Sequence, residues 1–233
     1  MAESPTSTAA PKWAARKKSL TSSELAAPRL PQRAQGKARF AQLVDAVEHL
    51  LTDRSMSQIS LYDIAVEAGV PPASVYHFFP STAAAFSALG SKFLEAFATL
   101  LNAPMHPTGL AGWRDLYPVK AEAIRSFYHS HPAAMKLFLS PDSNGQLRQA
   151  DLASMHDYAA IVAALYDQFF VMPTVPDFMT RIEIAITLND SIWALSFHKY
   201  GTITEEMARE ASRAYDAYLR CYLPEWIPAR SAE

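Results

Sequence analysis

Apolar side chains recur along most of this chain at helical spacing. Phe40, Leu43, Val44, Val47, Leu50 and Leu51 step by three, one, three, three and one, a single stripe that predicts a first helix at about 34–52. Ser60-Leu61-Tyr62-Asp63 then carries a helix-start signal, a Ser N-cap with Asp where Glu usually stands three residues on. The short helix it opens runs to about Ala68 and ends at Gly69, which accepts the left-handed backbone of a helix end. Pro72 suits the first turn of the next helix, because its missing N–H has no helical partner there. That helix reaches about Phe79, Pro80 closes it, and Ser81 caps a fourth helix ending near Asn102. Phe86, Leu89, Phe93, Phe97, Leu100 and Leu101 form the apolar face of that fourth helix.

Further helices are expected at about 110–129, 131–139, 146–171, 177–200 and 203–222. Thr202-x-x-Glu205 reads as the capping box of the last one. Pro, Gly, Asn and Asp mark Ser140–Gly145 and Met172–Pro176 as loops. Ile182, Ile184, Ile186 and Leu188 alternate with period two, as in a strand. Segment length and the helical neighbours favour a helix instead, apolar on several sides and so buried on several sides.

Helix, Gly turn, helix is the layout of a DNA-reading helix-turn-helix, in which a first short helix props a second that enters the major groove. Ile64, Ala65, Ala68, Val70 and Val75 supply the small apolar joint, and Ala73, Ser74, Tyr76 and His77 lie on the second helix and can face outward. The fold expected is all-α, with an N-terminal three-helix DNA-binding domain carrying the helix-turn-helix and a C-terminal helical bundle. The domains fall at 1–32 (a disordered basic arm), 33–81 (DNA-binding) and 82–233 (ligand and dimerisation).

Charge sharpens this picture. The net charge is −2 overall, but residues 1–39 hold eight Lys and Arg against two Glu, a surplus of six that leaves −8 for the rest. The first 32 residues are rich in Ser, Thr, Ala, Pro and Lys, so most of this stretch reads as a disordered arm, within which Lys12 to Leu20 is a candidate for helix on contact with a partner. Basic arms attract polyanions. A lone cysteine, Cys221, forms no internal disulfide. With no secretory leader and no apolar run long enough for a membrane span, a cytoplasmic protein is expected.

Residues 60–81, SLYDIAVEAGVPPASVYHFFPS, resemble the signature of the tetracycline-repressor (TetR) family of transcriptional regulators. Asp63-Ile64-Ala65, Ala68-Gly69-Val70 and the ending Tyr76…Phe79-Pro80-Ser81 carry the likeness, which covers about residues 36–100. The resemblance implies a homodimer on a palindromic operator, with a small-molecule inducer in the C-terminal domain. By position it implies that Ala73, Ser74, Tyr76 and His77 face DNA, with Ser60 and Thr82 beside them. Pro71, Phe78 and Thr82 depart from the family pattern, and no Lys or Arg occurs from Leu61 to Gly90. Phosphate neutralisation supplies much of DNA affinity. The arm and first helix are therefore expected to compensate, through Arg29, Arg33, Lys37 and Arg39.

In the C-terminal part, aromatic and Met residues crowd the helices. The expected ligand pocket, for an apolar or aromatic inducer, draws on Phe93, Phe97, Trp113, Tyr117, Lys120, Met135, Tyr158, Asn189, Asp190 and Trp193. Plain core packing is the competing reading of each. The expected dimer interface comprises Leu188, Ile192 and Leu195 on one helix and Met207, Ala211, Tyr215, Tyr218, Leu219 and Tyr222 on the last. His129-Ser130-His131 lacks further ligands for a metal, Cys221 reads as packed rather than reactive, and no catalytic constellation appears. The expectation is a non-enzymatic, ligand-responsive repressor without cofactor or metal. The alternative is a ligand-independent helical interaction module of the same fold that binds DNA weakly.

Overall fold

The computed structural model describes residues 27–105, 110–141 and 145–230, the side chains of 145–152 excepted. The candidate helix Lys12–Leu20, most of the arm and the centre of the Ser140–Gly145 loop lie outside the described residues. Among the described residues there are nine α-helices and no strand: α1 (Ala34–Asp53), α2 (Leu61–Glu67), α3 (Pro72–Phe78), α4 (Thr82–Asn102), α5 (Leu116–Ser130), α6 (Pro132–Phe138), α7 (Gly145–Phe169), α8 (Phe178–Tyr200) and α9 (Glu205–Leu219). A single antiparallel bridge joins Phe170 and Ala229.

Local chemistry sets these bounds. The Ser60 hydroxyl accepts the Asp63 N–H at 3.1 Å, while the Asp63 carboxylate accepts the Ser60 N–H at 2.8 Å, closing a reciprocal cap on α2. Gly69 ends that helix at φ +63°, where a side chain would be strained. Ser81 caps α4 by accepting from the Ala84 N–H at 3.1 Å. Ile182–Leu188 is helical, because α8 is covered by both α7 and α9 and needs apolar residues on two faces.

The α1 stripe, with Leu43, Val47 and Leu51 fully buried, packs α1 against α2, α4 and α6. By length and composition α4 is apolar enough to cross a membrane, but half of its most apolar stretch is buried, against α1, α5, α6 and α7.

Three expectations need correction. The cap of α9 is Thr204, whose hydroxyl accepts the Met207 N–H at 3.2 Å, not Thr202. The helix stops at Leu219 rather than near Tyr222. Cys221 therefore lies past its end and is exposed rather than packed. Residues 220–230 instead fold back across the bundle: Val171 N–H donates to Pro228 at 2.8 Å, Arg230 N–H to Phe169 at 2.8 Å, and Trp113 Nε1 to Pro224 at 2.9 Å. This strap ties the segment after α9 to the end of α7 and to the turn before α5.

Candidate DNA interface and internal cavity

The outward face of α3 is defined by what holds its inner face. Val75 is fully buried, Phe78 is 6% exposed and Phe79 is fully buried. Phe40 of α1 meets both rings, edge-on to Phe78 at 5.7 Å and tilted to Phe79 at 5.4 Å. That anchoring leaves Ala73, His77 and Tyr76 (53% exposed) in solvent, with Ser74 half-buried at the margin. Phe78 is thus a core residue, which explains its departure from a polar pattern. Pro71 makes no side-chain cap, and the first turn of α3 relies on Pro72 at its start.

Around this face the structure places Arg33, Lys37 and Arg39 exposed on and before the first turns of α1. The Arg39 guanidinium donates to Gln42 at 3.0 Å, and Gln42 in turn donates to the Ala68 carbonyl at 2.7 Å, tying α1 to the turn between α2 and α3. Ser60 is spent on its cap, and Thr82 is half-buried at the start of α4. Arg29 N–H donates to the Phe78 carbonyl at 2.8 Å and its guanidinium reaches the His77 carbonyl at 3.4 Å, so the last part of the arm lies against the end of α3. Tyr62 and Val66, 63% and 64% exposed, form a second apolar outcrop on α2. Their signal was present in the sequence: they sit four apart, off the stripe of Leu61, Ile64 and Ala65.

Two lysines fasten this head to the rest. Lys92 of α4 donates to Asp45 and to Glu48 of α1, both at 2.8 Å. Burial alone would lower its ammonium, but the two carboxylates outweigh burial and hold it above its ordinary value. Lys136 of α6 donates to the Thr52 carbonyl at 2.7 Å and the Arg54 carbonyl at 3.3 Å, at the C-terminal end of α1.

The C-terminal domain encloses a cavity of about 50 Å³ between α4, α5, α7 and α8. Of the predicted pocket residues, Phe97, Tyr117, Tyr158, Asp190 and Trp193 line it. The other five do not. Phe93 belongs to a ring cluster with Phe127, His131 and Phe138. Trp113 is committed to the strap, and Met135 is buried within α6. Lys120, depressed by burial, turns its ammonium to the Ala103 carbonyl at 2.5 Å. Asn189 is fully buried beside the wall and donates to Asp190 at 3.3 Å, and its Oδ1 has no partner among the described residues. Leu101, Ala121, Ile124, Tyr128, Val162 and Ile186 complete the wall and were not foreseen.

The expected dimer residues divide. Leu188 (38%) and Leu195 (44%) are exposed, Ile192 is half-buried, and Ile184 (36%) joins them on the outer face of α8. Ala211, Tyr215 and Leu219 turn inward, 0–2% exposed, and are withdrawn as interface residues because α9 buries that stripe within its own bundle. Tyr215 stacks on Tyr117 at 3.6 Å, and the Tyr166 and Tyr215 hydroxyls meet at 3.3 Å. Met207 and Tyr218 are half-buried; Tyr222 is exposed beneath the Arg181 guanidinium at 4.7 Å.

A short helix propped outward on a three-helix head, packed on a helical bundle, is the layout of a helix-turn-helix DNA-binding fold. Residues 43–89 match the family profile described as bacterial regulatory proteins, tetR family. That segment is similar to the DNA-binding part of tetR-family regulators. The remainder shares the family's fold. A TetR-family transcriptional regulator from Streptomyces coelicolor superposes with a TM-score of 0.58 at 22% identity, covering 79% of this chain and 97% of that one. SmeT of Stenotrophomonas maltophilia superposes with a TM-score of 0.55 at 15% identity, covering 85% and 98%. No curated protein matches the chain in sequence.

Proposed function

We propose that this regulator is a ligand-responsive repressor that binds a palindromic operator as a homodimer and is released by a small apolar or aromatic inducer. One observation carries the reading. Phe97 and Leu101 of the cavity wall lie on α4, and α4 begins only four residues after α3 ends. A ligand that enlarges the cavity therefore bears on the helix that carries the reading head. A cavity of about 50 Å³ is well short of the roughly 150 Å³ that admits benzene in an engineered core. Binding must displace part of the wall, and a ligand that prefers one wall position shifts the equilibrium between head positions. SmeT, described as the repressor of a multidrug efflux pump and also solved with triclosan, offers a precedent within the fold.

The outer face of α8 suits a second copy of the chain: Ile184, Leu188 and Leu195 stand at i, i+4 and i+11 and are exposed. A two-fold dimer presents two α3 helices to half-sites one helical turn apart or more. Tyr76 and His77 are the base- and phosphate-facing groups, and Arg29, Arg33, Lys37 and Arg39 supply the charge that α2 and α3 lack. The alternative, an interaction module that binds DNA weakly, draws on the run from Leu61 to Gly90, which holds no Lys or Arg.

Fluorescence anisotropy with DNA from upstream of the protein's own gene separates the two. The repressor reading expects tight binding and a large weakening in Tyr76→Ala and His77→Ala. It also expects the salt slope to shrink by about 0.9 for each phosphate left without its basic partner when the four basic residues become Gln. Weak binding, equal on unrelated DNA and unchanged in these variants, would leave the interaction module.

A further inference from the structure

Two buried polar atoms of α8 lack the partner that burial ordinarily demands. The Trp193 indole lines the cavity and is 3% exposed, and its Nε1–H meets no acceptor among the described residues. Asn189, four residues earlier, is fully buried, and its Oδ1 meets no donor among the described residues. Asp190 sets the orientation of that amide: Nδ2 donates to the carboxylate at 3.3 Å, which leaves the oxygen as the atom over. Residues four apart share one face of a helix, about 6 Å along its axis. A donor and an acceptor thus stand one turn apart on the buried side of α8, with the donor in the cavity wall. An unmade hydrogen bond costs more in the interior than a made one contributes, and a buried indole N–H usually finds a partner. Around the donor the wall is built of rings. Tyr128 meets Trp193 edge-on at 6.1 Å and 90°, and Phe97 lies 5.2 Å from Tyr128. The Tyr158 hydroxyl is already engaged, donating to the Leu94 carbonyl at 3.1 Å.

We infer that the cavity takes an uncharged phenol, whose oxygen accepts from the Trp193 N–H and whose proton is donated to Asn189 Oδ1. A hydroxyl is a single small group that both accepts and donates, and the ring that carries it packs among Phe97, Tyr128 and Tyr158. Asn189 lies behind the wall rather than in it, so the guest meets it as the wall yields, which a cavity of about 50 Å³ already requires. A hydrocarbon of the same size gains the rings but leaves both polar atoms unpaired. An ether satisfies the indole and not the amide oxygen.

The inference rests on the cavity being the inducer site, so its test uses three compounds that share a ring. The substituent of phenol accepts and donates, that of anisole only accepts, and that of toluene does neither. Each is titrated into the full chain with isotope-labelled indole nitrogens and followed by nuclear magnetic resonance, Trp193→Phe assigning the Trp193 N–H signal. Phenol is expected to bind about tenfold more tightly than toluene, with anisole between them. Phenol and anisole are expected to move the Trp193 signal downfield, and toluene is not. Asn189→Leu, which keeps the side chain's size, is expected to bring phenol down to the affinity of anisole; should that variant fail to fold, the comparison of phenol with anisole in the unaltered chain decides the same point. Phenol no tighter than anisole overturns the assignment to phenols. Equal binding of all three, with the Trp193 signal moving alike, also overturns it and leaves the cavity as an inducer site. Binding of none overturns the inducer site as well.

Discussion

Lys136 is the residue at which α6 grips the C-terminal end of α1, and replacing it with Met isolates that grip. Met keeps a long unbranched stem of similar reach and removes only the ammonium. The ammonium donates at 2.7 Å to Thr52 and at 3.3 Å to Arg54, two carbonyls that α1 cannot satisfy internally. A hydrogen bond to a charged group contributes about 1.5–3 kcal/mol when buried. Lys136 is only half-buried, so water replaces part of the loss and about 1–2 kcal/mol is the reasonable range. For a chain of this size that lowers Tm by roughly 2–8 °C. Thermal unfolding is followed by circular dichroism at one fixed protein concentration, since a dimer's Tm depends on it. Amide exchange should rise at the α1 C-terminus, including the Arg54 N–H bonded to Leu50 at 3.0 Å. Lys136→Arg should restore part of both. An unchanged Tm with unchanged exchange at residues 50–54 would refute the grip.

Gly69→Ala places a side chain at φ +63° with nothing within 4 Å, so the cost is conformational alone, about 1 kcal/mol, seen as a lower denaturant midpoint with the same m-value. Asp63 is held below its ordinary 3.8, first by the Ser60 hydroxyl, then by the Ser60 N–H and by Arg54. A depressed carboxyl contributes stability that is whole above 3.8 and drains away as pH falls through the lower folded value. Asp63→Asn should therefore remove an acid-labile component of unfolding below pH 3.8, measured as midpoint against pH. Leu188→Glu with Leu195→Glu puts charge on the outer face of α8 without touching the core. It should convert a dimer to a well-folded monomer in sedimentation velocity; an unchanged dimer places the interface elsewhere.

The head was legible because its rules are local. A hydroxyl that reaches its own third N–H, a glycine at positive φ and a proline at a first turn act within a few residues, so α1 to α4 fall within a residue or two of their expected bounds. The bundle was less legible. The stripe Ala211, Tyr215, Leu219 marks one apolar face of α9, but periodicity cannot say whether a helix of the same chain or of another covers it. The chain's own bundle does, with Tyr215 against Tyr117 and Tyr166. The cavity posed the same difficulty: aromatic residues at helical spacing announce a core, and a void exists only where several side chains together fail to fill space. Phe97 and Phe93 are one turn apart on the same helix, yet only Phe97 meets the void.

On the proposed inducer reading, that distinction bears on how a guest in the cavity would be felt at the DNA. Enlarging a cavity of about 50 Å³ requires some wall residue to yield, and close-packed interiors yield by switching between arrangements rather than by stretching. Phe97 is the wall residue with a route outward. Its ring lies 5.2 Å from Phe127 and 5.7 Å from Phe138, and Phe138 belongs to α6, the helix that holds α1 through Lys136. Displacing Phe97 thus presses on the same short helix that fixes the head's position. A coupling of about 1–3 kcal/mol, the usual scale between linked sites, is comparable to what the Lys136 hydrogen bonds contribute. On that reading the grip would be strong enough to transmit the change and weak enough to be overcome by it, whereas a head clamped much more firmly would bind DNA without responding to a guest.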